Sequence, residues 1–128
     1  MIYFQQSYVE LSWDETSKAV ILVWKGFASL EKHQLVLNKV LELLEQKKSY
    51  KFLTDSRNML AFNKEAEEWI MQDWLPRAKV ANLKVIAYIV PKSAIARTSL
   101  RGMQGRTGIQ TVAHFDNVEE AKSWLRSK

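Results

Sequence analysis

The residues best suited to chemistry lie together in the segment FLTDSRNML, residues 52–60. An apolar run is followed there by Asp55, Ser56 and Arg57. A serine at this point could accept a phosphate, and a guanidinium could bind an anion. In the local alternative, Asp55 and Ser56 hydrogen-bond to nearby backbone where a strand ends, and Arg57 stays in water or pairs with Asp55. The segment therefore predicts either a polar site or a simple strand end.

A basic segment follows in the second half of the chain. Seven lysines and arginines, and no acidic residue, lie between Asp73 and Asp116. Lys92 and Ser93 follow the apolar run LKVIAYIV, residues 83–90, with Pro91 between them and the run. Since ligands of open α/β sheets bind beyond the carboxyl ends of the parallel strands, Arg57, Lys92 and Ser93 could together hold an anion. The alternative is a solvated basic surface that affects solubility and association.

The stretch LRGMQGRTGI, residues 100–109, contains a Gly-x-x-Gly between arginines. It is similar to the loop that clamps the nucleic-acid backbone in KH domains. That loop joins two helices, whereas IQTVAHF, residues 109–115, has the pattern of a strand. The basic segment also lacks interleaved aromatic residues that would stack bases. We therefore do not expect a nucleic-acid partner.

The chain has five tryptophans, which could form a core or line a pocket for an apolar ligand. We expect Trp24 and Trp69 in the core. Trp74 stands just before Pro76, where a helix must kink or restart. It is our candidate for a pocket wall or a dimer contact, so a homodimer is one expected form.

The sequence gives little support for catalysis. The two histidines, His33 and His114, stand apart and lack the ligand spacing of a metal site. Neither a Gly-x-Ser-x-Gly elbow nor a phosphate-binding loop is present in the sequence. We expect a protein that is not an enzyme and that needs no cofactor.

Bulk properties are those of a globular chain. With 128 residues, 47% of them hydrophobic and 26% charged, residues 1–128 are expected to form one domain. The sequence has no cysteine, which excludes disulfides and thiolate chemistry. The first residues do not have the pattern of a signal peptide, and no apolar run is long enough for a membrane span. These features lead us to expect a cytoplasmic protein.

Hydrophobic periodicity indicates the elements that would position these residues. Alternating and continuous apolar runs predict strands at 7–13, 19–24, 50–54, 83–90 and 109–115. Helices are predicted to begin at Ser29 and at Asn63 and to close the chain after Asp116, with a weaker helix over 93–104. The prediction is an α/β fold with a five-stranded mixed sheet and four to five helices, in the order ββαβαβαβα.

Four segments carry a resemblance to a known family. VWKG, FLTDSRNM, EEWIMQDWLPRAKVANLKVIAYIV and HFDNVEEAKSWL resemble the SpoIIAA-like family of small bacterial proteins, related in fold to STAS and CRAL-TRIO domains. The resemblance covers most of the chain and implies a non-enzymatic domain rich in βαβ units. STAS relatives act as phosphorylatable partner-switching regulators, so the resemblance implies a regulatory role.

The resemblance departs from the family at the switch itself. STAS switch domains carry Asp-Ser-Ser-Gly after the third strand, and the second serine commonly accepts the phosphate. Here Asp55 and Ser56 match the first two positions, Arg57 stands at the acceptor position and Asn58 at the glycine. A guanidinium binds phosphate and does not carry it.

These observations lead to a ranked expectation of function. The first is a cytoplasmic regulatory or protein-interaction module with a protein partner. The second is a carrier or sensor of a small apolar or lipid-like anion, suggested by the tryptophans beside the basic segment. An enzyme with its site at the same strand ends comes third.

Overall fold

The computed structural model describes residues 1–58, 63–89, 109 and 111–128. The strands are β1 (Ile2–Gln6), β2 (Val9–Asp14), β3 (Ala19–Lys25), β4 (Lys51–Asn58), β5 (Val85–Ile89) and β6 (Thr111–Phe115). The helices are α1 (Leu30–Lys47), α2 (Lys64–Trp69), α3 (Leu75–Val80) and α4 (Val118–Arg126), and a π-helical segment, Ile70–Trp74, joins α2 to α3. Because α2, the π-helical segment and α3 run on without a break, the described residues form three helical units. The predicted count of four to five helices and the predicted order ββαβαβαβα are therefore not matched in these residues, where three strands precede α1.

The strands form one mixed sheet in the order β1-β2-β3-β4-β5-β6. The first three strands are antiparallel, and β3 to β6 pair in parallel. The predicted α/β class is confirmed, but the prediction of five strands is wrong because β1 is a sixth. Only Ser7 and Tyr8 separate β1 from β2, so the two strands form a tight hairpin. The hydrophobic pattern does not mark so short a turn, and the sequence therefore predicts a single strand there.

The helices cover the sheet unequally. Consecutive right-handed crossovers between neighbouring parallel strands place α1 and the α2–α3 unit on one face. That face holds the larger core, which includes Leu22, Val40, Phe52 and Ile86. The other face holds a smaller core around Ile21, Leu53 and Ala87, against which the α4 residues Ala121 and Leu125 pack. The two faces therefore offer different surroundings to the residues of a single strand.

Local capping agrees with most of the predicted helix starts. The Ser29 hydroxyl accepts from the Lys32 N–H, and the side-chain oxygen Oδ1 of Asn63 accepts from the Ala66 N–H, as N-caps do. The last helix begins one residue later than predicted, because Asn117 rather than Asp116 caps it, through the Glu120 N–H.

The break predicted at Pro76 takes the form of a π-helical turn. Proline has no N–H to continue the ladder of hydrogen bonds, and its ring crowds the preceding turn. The wider turn Ile70–Trp74 precedes it, and Pro76 sits in the first turn of α3. The helical unit therefore passes the proline without ending. It ends near Asn82, whose φ of 75° is left-handed, a conformation common just after the end of a helix.

Several predictions lie outside the described residues. These are Lys92 and Ser93, the weak helix over 93–104, and the Gly-x-x-Gly stretch up to residue 108. Within the part of the chain that the structure covers, none of the helices combines the length and the apolar character that a membrane crossing needs.

Candidate functional site

The parallel strands bring their carboxyl ends to one edge of the sheet. Register places Val23 of β3 opposite Asp55 of β4, Asp55 opposite Ile89 of β5, and Ile89 opposite Phe115 of β6. With adjacent strands about 4.8 Å apart, this row spans about 14 Å. The ends of the parallel strands thus lie side by side at this edge, and Asp55 is the charged member of the row.

Asp55 and Arg57 form the principal polar contact at this edge. The guanidinium donates through Nη2 to Asp55 Oδ2 (2.7 Å) and through Nε to Oδ1 (3.0 Å), which is a bidentate pair. Asp55 Oδ1 also accepts from the backbone N–H of Arg57 (3.1 Å). The hydrogen bonds to Asp55 raise the pKa of Arg57. The structure thus shows Arg57 paired with Asp55, which is one of the alternatives that the sequence predicts.

The two partners differ in exposure. The Asp55 side chain is 2% exposed and that of Arg57 is 35% exposed. Asp55 shares its face of the sheet with Leu53 and Ile89 and is therefore a carboxylate at the margin of the smaller core. A charge in such surroundings needs a partner, and Arg57 supplies it while keeping part of its guanidinium in water.

A bulge in β4 accounts for this geometry. Two steps along β3, from Val23 to Lys25, oppose three steps along β4, from Asp55 to Asn58, so β4 has one extra residue there. A bulge re-aims side chains at the end of a strand. The prediction that the strand ends at residue 54 is wrong, since β4 continues through Asp55, Ser56 and Arg57 to Asn58.

Ser56 is buried inside this strand, with 1% of its surface exposed. A kinase or phosphatase would have to open β4 to reach its hydroxyl. In the folded state, Ser56 is thus not accessible as a phosphate acceptor.

Beside this strand end, the loop between β3 and α1 presents an aromatic side chain. Phe27 is 54% exposed, whereas its neighbour Ala28 is 2% exposed in the larger core. The Gly26 N–H donates to the Asn58 carbonyl oxygen (2.8 Å), which ties the loop to the end of β4. Gly26 has a φ of 97°, which a residue with a side chain would adopt only with strain. Phe27 is therefore held at the edge by contacts on both of its sides.

We name the exposed part of this region the carboxyl-edge surface and define it by Phe27, Arg57 and Asn58. Lys25, which is also exposed, pairs with Asn58 across β3 and β4. The sequence predicts Arg57 as a site residue but not Phe27. No periodic pattern in GFAS marks an exposed aromatic, and only the sheet register brings Phe27 next to the end of β4.

The structure places Trp74 away from this surface. It is 2% exposed in the larger core, its ring centroid lies 6.0 Å from that of Phe52, and its indole N–H donates to the Leu37 carbonyl oxygen (2.7 Å). It presents no wall or contact to the surface, contrary to our expectation for it. Trp24 is buried as expected, whereas Trp69 is half-buried beneath Arg77.

The remaining titratable candidates do not gather into a metal site. Within residues 1–58, 63–89, 109 and 111–128, no three histidine or acidic side chains lie close enough to hold a metal ion. His33 is buried against Trp24, with ring centroids 4.6 Å apart, and its Nδ1 lies 2.9 Å from the Ser29 carbonyl oxygen. His114 is exposed and stacks on Tyr88 at 5.7 Å.

Comparison with known proteins gives one partial likeness. No family model matches the chain. Over 91 residues, the chain is 31% identical to segregation and condensation protein B of Streptococcus mutans. The aligned part makes up 71% of this chain and 46% of that protein, so the chain spans about half the length of the curated relative that it matches.

Proposed function

We propose that the protein is a non-enzymatic regulatory or protein-interaction module of the SpoIIAA-like and STAS type, and that it binds a protein partner through the carboxyl-edge surface. The observation that carries the proposal is the 54% exposure of Phe27 next to the end of β4. The Gly26–Asn58 hydrogen bond and the buried Ala28 hold this aromatic in place.

The composition of the surface suits a protein partner. Aromatic residues and arginine are the types that most often dominate the binding energy of protein interfaces. The loop is already tied to β4, so binding would sacrifice little conformational freedom. The half-exposed Arg57 adds a fixed positive charge, since Asp55 orients its guanidinium.

The same geometry favours binding over chemistry at this edge. Both Asp55 oxygens accept hydrogen bonds from Arg57. Ser56 is buried inside β4. Neither residue is therefore placed to act as a base or a nucleophile. The proposal is a STAS-like module whose partner binding does not depend on phosphorylation of Ser56.

The second expected function, binding of a small anion, has support from a different place. At the opposite edge of the sheet, four lysines surround one cleft. The tryptophans offer less support, because Trp24 and Trp74 are buried and Trp74 uses its N–H inside the core.

The partial likeness to segregation and condensation protein B points toward a different role. The match covers less than half of that protein. Its role is accordingly not part of our proposal, which rests on the surface of this chain.

A pull-down with matched variants tests the proposal. Wild type, Phe27→Glu and Val80→Glu would be immobilised and exposed to lysate of the cells that make the protein. Val80 is 90% exposed on α3 and is the control for adding a charge to an apolar surface position. Loss of an aromatic hot spot costs about 2 kcal/mol or more, so recovery of a partner should fall by about tenfold or more with Phe27→Glu alone. Equal recovery by all three proteins, or no stoichiometric partner, contradicts the proposal.

A further inference from the structure

A cleft of about 500 Å³ lies at the amino edge of the parallel strands, opposite the carboxyl-edge surface. Its walls come from the β2–β3 turn, the end of α1 and the start of β4. The lining includes two aromatic residues and four lysines, namely Trp13, Tyr50, Lys18, Lys47, Lys48 and Lys51. We name it the lysine cleft. Its size is within the range of pockets that hold small ligands.

The lysine cleft has an excess of positive charge. Glu15 is the acidic residue in its lining, and it already binds the Lys18 ammonium and accepts from the Trp13 indole N–H (2.7 Å). Lys47 lies over the Trp13 ring, 5.5 Å from its centroid. The lining residues include four lysines and one glutamate, so together they have a formal net charge of +3, by 4 − 1.

Lys51 fixes part of this charge in a buried position. The residue is 6% exposed, and its Nζ donates to the carbonyl oxygens of Leu125 (2.7 Å) and Ser17 (3.2 Å). Carbonyl groups orient an ammonium without neutralising it. Burial lowers the pKa of Lys51, which shows the cost of holding the charge there. An anion bound close to this ammonium would offset that cost.

Two of the lysines have unfavourable backbone conformations. Lys18 has a φ of 56° and Lys48 a φ of 52°, both in the left-handed region. Lys18 lies in a hairpin turn and Lys48 ends α1, and glycine or asparagine is favoured at both kinds of position. The Ser49 hydroxyl donates to the Lys18 carbonyl oxygen (2.8 Å) and so joins the two segments. Strained residues of one charged type that line one cleft indicate a use beyond the fold.

We propose that the lysine cleft binds a small multivalent anion, with phosphate groups as the matching chemistry. Lysine binds phosphate as a point charge, and three or four ammonium groups match two linked phosphates. The phosphate groups belong either to a free phosphorylated compound or to an anionic lipid headgroup. This site is separate from the carboxyl-edge surface and does not depend on the function proposed for that surface.

The strained lysines allow a test in which the fold is not at risk. Glycine at positions 18 and 48 suits their backbone angles, so Lys18→Gly/Lys48→Gly should unfold at the same or a higher temperature than wild type. Binding of inorganic pyrophosphate would be measured by titration calorimetry at fixed ionic strength. We expect saturable binding by wild type and at least a tenfold weaker association for the glycine variant.

The matched control is Lys64→Gln/Lys79→Gln, which removes the same charge from exposed positions that do not line the cleft. Its pyrophosphate affinity should stay within about twofold of wild type, because general attraction to a cationic protein falls off within a Debye length. Equal weakening in both variants, or no saturable binding by wild type, overturns the proposal.

A second arm distinguishes the two sources of phosphate. Flotation with phosphatidylcholine vesicles that contain phosphatidylserine would be compared between wild type and the glycine variant. Flotation of wild type alone supports a headgroup in the cleft, and pyrophosphate binding without flotation supports a free compound. Flotation that is equal in both proteins, together with unchanged pyrophosphate binding, overturns the proposal.

Discussion

Asp55 and Arg57 stand two residues apart on one strand, a spacing that puts both side chains on the same face of the sheet. The ion pair is one of the alternatives that the sequence predicts, because the two residues are close in the chain. The burial of Asp55 is not predictable in this way, since it comes from Val23 and Ile89 of the neighbouring strands. The exposure of Phe27 is not predictable either, since core and surface aromatics look alike in a sequence. Contacts between neighbours in the chain were predictable, whereas exposure was not.

The buried pair gives a prediction for stability. Asp55→Asn removes the charge that orients Arg57 and should lower the free energy of unfolding by about 2–3 kcal/mol, less than the ~3–5 kcal/mol of a fully buried pair because Arg57 is partly in water. Urea denaturation would measure it. Asp73→Asn is the control, because Asp73 pairs with Arg77 at the surface and such pairs contribute about 1 kcal/mol or less. Equal losses in the two variants would show that Asp55 is not effectively buried.

His33 gives a prediction for pH dependence. Burial is the main reason why its pKa lies below the ordinary 6.5. The unfolded chain therefore binds a proton near pH 6.5 while the folded protein does not. Neutral, buried His33 therefore makes its full contribution to the free energy of unfolding above pH 6.5. As the pH falls from 6.5 toward the pKa of His33 in the folded protein, the free energy of unfolding decreases by up to about 1.4 kcal/mol per pH unit.

The check is urea denaturation between pH 5 and pH 8 of wild type and His33→Phe, which keeps a ring against Trp24. We expect a shallower loss of stability in acid for the variant, whatever its stability at pH 8. Parallel curves for the two proteins would mean that His33 takes up its proton equally in both states.

At the scale of elements, features set by local contacts could be predicted from the sequence, and features set by non-local contacts could not. The N-caps Ser29 and Asn63 were predictable because a cap bonds to a residue three positions away. The continuation of β4 through Asp55, Ser56 and Arg57 was not, because neighbouring strands and a bulge sustain it against a polar sequence. The lysine cleft was missed for the same reason. Lys47 and Lys48 stand at the end of α1, and only the fold brings Lys18 and Lys51 beside them.

The docking of the α2–α3 unit on α1 gives the element-scale prediction. Trp74 joins them through its N–H to Leu37 and through its ring in the core. Trp74→Phe removes that hydrogen bond and leaves a small cavity, and it should cost about 2 kcal/mol of unfolding free energy. Trp69→Phe should cost less, since Trp69 is only half-buried. A larger loss with Trp69→Phe in urea denaturation would contradict the role given to Trp74.

At the scale of the molecule, the two edges of the parallel sheet have different characters. The carboxyl edge has an ion pair, a tied loop and an exposed aromatic, which suit a protein surface. The amino edge has a cationic cleft, which suits an anion. Both rest on a sheet whose α/β class was predictable from alternating apolar runs. The strand that carries Asp55 and Arg57 at the carboxyl edge buries Ser56.

The most direct measurement is site-specific photocrosslinking in the cells that make the protein. Benzoylphenylalanine would replace Phe27 in one variant and Val80 in another, since both positions are exposed. The proposal predicts a discrete protein adduct from position 27 that is absent from position 80, and an adduct of twice the mass of the chain would identify a second copy as the partner. The same adducts from both positions, or no protein adduct from position 27, would contradict the carboxyl-edge surface as the binding site.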